Sequence, residues 1–301
     1  LAAESALNRL LWGTGSYGDA LKGAVSLGLA RGTYELPEIV RRIALDRAPE
    51  MWSMEREGVV DKVTYKTPDY MLSSAQDWRP GRRGQREQVW QATMGPDALI
   101  YTNHPTNCSL SEGRHAAWWC GNGTLPRVAQ YKDALIAVYD LPAEDWLGFT
   151  HAHFPCYAFD EVLLRDGWAF ARCGNAYLAL TASRGLTLME HGQDAYRELR
   201  SLGSPVAWLC QMGRTEVDGS LSDFQERVLV SGLRVEGLRV EWTTVRGDDL
   251  DFDWTSPLLV NGREWPLSGY KHFEGPFAQA EMPATQMDIL YGEDVMRLDL
   301  A

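Results

Sequence analysis

Two imidazoles stand one residue apart in Thr150-His151-Ala152-His153-Phe154-Pro155. On an extended strand, residues two apart point to the same side, so His151 and His153 emerge together, in a row with Phe149. A pair placed in this way has three uses open to it. It can share proton transfer near neutral pH, it can hold a divalent metal with help from carboxylates such as Asp160 and Glu161, or it can divide into one structural and one surface histidine. A third imidazole, His104, closes Tyr101-Thr102-Asn103-His104, and Pro105 restrains its backbone toward extended geometry.

Flat rings and directional amides crowd the same part of the chain. Residues 115–130 carry Trp118, Trp119, Asn122, Arg127 and Gln130. Adjacent indoles on a strand face opposite ways, so one of them can line a core while the other stacks on a ligand. In residues 85–95, Glu87, Val89, Gln91 and Thr93 share one face and Arg86, Gln88, Trp90 and Ala92 the other, so neither face is wholly apolar. The whole chain has 12 Trp and 12 Tyr against 8 Phe, more aromatics with polar handles than a core alone requires. A sugar ring asks for such a mixture of apolar faces and fixed hydrogen-bonding groups. The expected ligand is therefore a polysaccharide or oligosaccharide. Its contacts would be Trp90, Gln91, Asn103, Trp118, Trp119, Asn122 and Arg127, and the candidate reacting groups are His151, His153, His104 and Tyr157.

Composition narrows the class. With 301 residues, 45% hydrophobic and 23% charged, the chain has ample material for a core. A net charge of −12 and the absence of a Lys/Arg stripe argue against nucleic acid, although Arg79, Arg82, Arg83 and Arg86 form a local basic group able to face an acidic glycan. No apolar run approaches the roughly 18 residues that span a bilayer, so no membrane partner is expected. The five cysteines, at 108, 120, 156, 173 and 210, form no CxxC pair. Cys108 and Cys120 flank one loop and would bridge in an oxidising compartment, with free thiols the alternative. An extracellular or periplasmic location is the preferred expectation.

Positioning these groups calls for strands. Residues 2–12, 17–30 and 36–47 read as short helices, the last starting beside a proline. From residue 51 the period changes to two, with strands expected at 59–66, 69–76, 85–94, 98–102, 134–139, 147–154, 161–165, 168–172, 176–182, 206–212, 234–243, 250–254 and 257–260. Asp166-Gly167 reads as a tight hairpin turn, and 220–229 is the one later helical segment. Strand follows strand without regular helices between them, which favours a mainly β protein. The expectation is a large antiparallel β-sandwich over 51–301, preceded by a short N-terminal α-helical segment over 1–50.

The Tyr-Lys-Thr-Pro-Asp-Tyr-Met-Leu-Ser-Ser-Ala-Gln stretch at 65–76, running into Gln-Val-Trp-Gln-Ala-Thr at 88–93, sits within this layout of helices followed by sandwich. In both respects the chain resembles the C-terminal part of polysaccharide lyases of the heparinase II/III kind and related uronide-active enzymes. The resemblance implies a galactose-mutarotase-like supersandwich, with residues 1–50 as the end of a larger α/α toroid. It also implies β-elimination next to a uronate carboxylate: a positive or amide group neutralises the carboxylate, a Tyr or His removes the C5 proton, and a Tyr protonates the leaving oxygen. On this reading His151 or His153 is the base, Tyr157 the proton donor, and Gln91, Asn103 and Arg127 hold substrate. No cofactor is required, with a divalent metal at His151 and His153 the alternative. The rival functions are a glycoside hydrolase pairing Asp160 or Glu161 with Glu87, and a carbohydrate-binding sandwich without catalysis.

Overall fold

The computed structural model describes residues 36–300, apart from 47, 49, 85, 86, 106–117 and 120–122. The helices expected at 2–12 and 17–30, and Asn122, Cys108 and Cys120, lie outside the described residues. The third helix spans Glu38–Leu45, starting directly after Pro37. It rests on the last hairpin of the chain, where Arg42 reaches Asp294 at 2.5 Å and stacks over the Tyr291 ring.

The chain is mainly β, with antiparallel sheets stacked as a sandwich behind this short helix. A 12-stranded sheet runs in the order 187–188, 198–202, 149–153, 99–103, 90–93, 71–75, 60–66, 51–57, 273–274, 278–280, 286–291 and 294–299. A six-stranded sheet packs on its inner face, in the order 127–131, 134–139, 206–214, 176–182, 168–173 and 161–165. Leu72, Ala92, Ile100, Ala152, Phe154 and Leu199 of the first meet Leu135, Ala137, Tyr139, Leu178 and Trp208 of the second.

The sandwich has a third layer, which the sequence reading lacked. The far face of the six-stranded sheet, through Ile136, Val138, Phe170 and Leu209, packs on the helix Leu221–Val230 and on a five-stranded sheet spanning 233–265. Odd and even residues of Ala134–Tyr139 thus enter different cores, which is why that strand reads as an unbroken apolar run instead of an alternation. Gly213 lets the helix approach, since a Cβ there would sit 2.6 Å from the Phe224 ring. The single strand expected over 234–243 is instead a hairpin, Leu233–Glu236 with Arg239–Thr243, turning at Gly237 with φ +60°. The Asp166-Gly167 turn is present with φ +51° and +81°, as a primed two-residue hairpin requires.

Charge links the layers in one buried network. Asp218 receives Arg246 at 2.6 and 2.9 Å, Arg227 at 2.6 Å and the Arg214 backbone N–H at 2.8 Å, while Arg246 also reaches Asp133 at 2.8 Å. Every lobe of that carboxylate is thereby occupied.

Candidate functional site

The outer face of the large sheet, opposite its core face, holds the candidate site. Three neighbouring strands, Leu99–Asn103, Phe149–His153 and Glu198–Leu202, set it out in two rows. His153 lies between Tyr101 and Glu198, and His151 between Asn103 and Arg200. Alternation sends Thr150 and Ala152 inward, where Thr150 accepts the Trp208 indole N–H at 2.7 Å. The same alternation leaves Phe149, His151 and His153 on one row, as the HxH spacing implied.

Trp118 and Trp119 cover this row. Trp119 stacks flat on His151, with centroids 4.3 Å apart and planes 4° from parallel, and meets His153 edge-on at 5.2 Å. Trp118 packs on Phe149 and edge-on against His151. Tyr101 stacks on His153 at 5.1 Å and 13°. The turn is tethered by Gly123 N–H donating to the His104 carbonyl at 2.9 Å and by the Trp119 indole N–H donating to Asp194 at 3.3 Å. The imidazoles and indoles do meet, although in a packed cluster rather than an open trough.

The two histidines differ in what their nitrogens face. His151 is fully enclosed, at 0% exposure; its Nδ1 lies 2.8 Å from Glu198 Oε1 and its Nε2 lies 3.0 Å from the Trp118 carbonyl. His153 is 8% exposed, and its Nδ1 lies 2.7 Å from the Leu99 carbonyl. A carbonyl can only accept, so Nδ1 of His153 carries the proton and Nε2 keeps its lone pair when the ring is neutral. Burial presses the pKa of His153 below the ordinary histidine value; the Leu99 contact opposes this, and the positive charge of Arg197 adds to it. Burial likewise lowers His151, against the pull of Glu198. Burial alone would raise the Glu198 carboxyl, but His151 and Arg200 hold it below the usual carboxylate range. Arg200 donates to Glu198 at 2.8 and 3.1 Å and lies over the Phe149 ring at 4.5 Å.

The remaining expected residues are placed as follows. Asn103 joins the cluster, its amide donating to the Trp118 carbonyl at 3.1 Å. His104 sits at the edge of the cluster with Nε2 3.1 Å from Asp145, and burial lowers its pKa. Gln91 lies on the same sheet two strands away, donating to Thr93 at 3.0 Å. Tyr157 follows the histidine strand in a 3-10 turn, 67% exposed.

Trp90 and Arg127 depart from their expected role as ligand contacts. Trp90 points into the inter-sheet core, where its indole N–H donates to Thr102 at 2.7 Å, because alternation puts it on the face opposite Gln91. Arg127 is buried on the edge strand of the six-stranded sheet, bound to Asp77 at 2.8 Å and to the carbonyls of Asp253 and Ser256 at 2.8 and 2.7 Å. It ties layers together and has no part in the imidazole cluster.

Sequence reading missed Tyr101, Glu198, Arg200, Asp194 and Arg197. The signal for Glu198 and Arg200 was their spacing of two around Leu199, which went unread because no strand was assigned over 198–202. The alternative hydrolytic carboxylates do not converge, since Asp160 and Glu161 pair with Arg172 at 3.3 and 3.5 Å while Glu87 lies 4.0 Å from Arg79. Among the described residues no group of three or more His, Cys, Asp or Glu is arranged to hold a metal ion.

A surface groove of about 520 Å³ lies elsewhere, on the five-stranded sheet, lined by Arg234, Glu241, Thr243, Asp249, Asp251 and Leu259. Its charges are paired with one another and with Arg239, which reaches Asp251 at 2.7 Å and Glu241 at 2.9 Å. The imidazole cluster, which brings titratable rings together with a carboxylate and indoles, therefore makes the stronger candidate. No protein-family model, curated protein or solved structure matches the chain.

Proposed function

We propose that this chain acts on an acidic, uronate-containing polysaccharide as a lyase, with His153 as the base that removes the proton next to the carboxylate. The observation that carries this reading is the fixed tautomer of His153. Its Nδ1–H is committed to Leu99, its lone pair lies on Nε2, and burial keeps the ring neutral into mildly acidic conditions. A neutral imidazole with one oriented lone pair is what general-base proton removal needs. His151, with both nitrogens engaged, is not the base. Arg197, whose charge acts on His153, supplies the cation that steadies the substrate carboxylate as negative charge builds on the enolate. Tyr101, stacked on His153, brings a phenol to the base and is the preferred proton donor, ahead of the exposed Tyr157. The indoles of Trp118 and Trp119 and the amides of Asn103 and Gln91 provide the stacking and hydrogen-bonding surface a sugar needs. An extracellular or periplasmic location suits such a substrate.

Elimination leaves a C=C bond conjugated to the carboxylate, so the test is the growth of ultraviolet absorbance when the protein is incubated with a panel of uronate-containing polysaccharides. Absorbance growth that disappears in His153→Ala supports the reading. New reducing ends without absorbance indicate hydrolysis, and saturable binding without cleavage indicates a binding module; either result removes it.

A further inference from the structure

Among the described residues, the His151 nitrogens face two acceptors and no donor. Glu198 Oε1 lies 2.8 Å from Nδ1 and also accepts Arg200 Nε at 2.8 Å, so that oxygen carries no proton to give. The Trp118 carbonyl lies 3.0 Å from Nε2 and accepts the Asn103 amide at 3.1 Å; a carbonyl has two lone pairs, and the two donors fill them. A neutral ring would set a bare lone pair against either a carboxylate or a carbonyl at hydrogen-bond distance. Only the doubly protonated ring satisfies both contacts, and its positive charge then lies against the face of Trp119 at 4.3 Å.

We propose that His151 is a positioning residue that works as an imidazolium clasp, tying the Glu198 strand to the Trp118 carbonyl and so holding Trp118 and Trp119 as the indole wall beside His153.

The electrostatic surroundings separate the two histidines. His151 has the Glu198 carboxylate on the neighbouring strand, with Arg200 beyond it, Asn103 on the other neighbouring strand, and His104 acting from the edge, itself beside Asp145. At His153 burial opposes protonation most, the Leu99 carbonyl favours it, the charges of Arg197 and His151 press against it, and Asp194 favours it. While the His151 ring carries both protons the wall is clasped; loss of one opposes a lone pair to an acceptor, and the clasp lets go.

The structural half of this inference stands without the lyase reading; its consequence for turnover rests on that reading. The test uses the full chain, with nitrogen-15 resonances of His151 assigned against His151→Gln and quenching of Trp119 by acrylamide taken as the difference from Trp119→Phe. Expected are two ring protons on His151 wherever Trp119 is shielded, and a single midpoint at which one proton is lost and quenching rises. Glu198→Gln, which removes the anion, moves that midpoint down by about one pH unit or more. With active protein, His151→Gln raises KM more than it lowers kcat, and the alkaline limb of the rate profile moves with Glu198→Gln. A His151 ring carrying one proton while Trp119 is shielded, or shielding unchanged across the proton loss, overturns the clasp. An absent ultraviolet product with the coupled midpoint intact removes only the lyase reading.

Discussion

Two buried ionic clusters, built from similar side chains, show how this protein divides its charge between architecture and chemistry. At the junction of the six-stranded sheet, the Leu221–Val230 helix and the five-stranded sheet, Asp218 is surrounded by two guanidinium groups, of Arg246 and Arg227, and a backbone N–H. On the outer face of the large sheet, Glu198 is also bound by an arginine, but its other partner is an imidazole stacked under an indole. The first cluster is built on guanidinium groups, which stay charged across ordinary conditions, so it serves to hold layers together. The second contains three histidines whose burial lowers their pKa values, so its charge changes as pH falls. Charge that is fully paired by arginine fixes a fold, and charge shared with histidine can be moved by a substrate or a proton.

The sharpest way to break this comparison is to remove one member from each cluster. His153→Ala is expected to lower turnover by about 10²- to 10⁴-fold while cooperative unfolding persists, measured by absorbance growth alongside thermal melting. Asp218→Ala should do the converse. Stripping the buried acceptor from two half-buried arginines costs about 1–3 kcal/mol of stability, read from denaturant midpoints, while the protein that remains folded keeps its turnover. If His153→Ala unfolds the chain and Asp218→Ala spares it, the division of roles is reversed.

Arg197→Ala sharpens the electrostatics of the histidine side. His153 works as a base only when unprotonated, so activity rises as pH climbs through its lowered pKa. Removing Arg197 deletes one of the causes of that lowering, so the acid limb of the rate profile should move to higher pH, toward the ordinary histidine value near about 6.5. The same substitution should raise KM about tenfold, the loss of one charge-assisted hydrogen bond to a carboxylate. A limb that stays in place excludes Arg197 from the field of the base.

Much of this arrangement was legible in the sequence, and the misses have physical causes. The HxH spacing gave a shared face correctly because side-chain period on a strand is fixed at two, and Asp166-Gly167 gave its hairpin because few other pairs accept positive φ twice. Trp90 was misassigned because composition says that an indole is present but not which face of the sheet its strand presents. Arg127 looked like a ligand contact because a buried arginine and a substrate-binding one have the same letters around them; only the carbonyls of Asp253 and Ser256, more than a hundred residues away, distinguish the two. Strand 198–202 escaped because Glu-Leu-Arg-Ser-Leu has weak strand propensity and is held in place by its neighbour, Phe149–His153. The third layer was invisible because continuous apolar runs report burial without saying how many faces are covered.

The smallest expected effect belongs to the tyrosines and tests the boundary of the histidine cluster. Tyr157 follows His153 by four residues and stands 67% exposed in the turn after the strand, whereas Tyr101 stacks directly on the imidazole. If proton return to the leaving oxygen comes from the group beside the base, Tyr101→Phe lowers kcat while Tyr157→Phe leaves both kinetic parameters unchanged and stability within about 0.5 kcal/mol, as surface substitutions usually do. A loss of kcat confined to Tyr157→Phe would move the donor to the open end of the strand. It would mean that substrate lies along the edge of the cluster, past His153 and toward the turn, rather than across the indole wall.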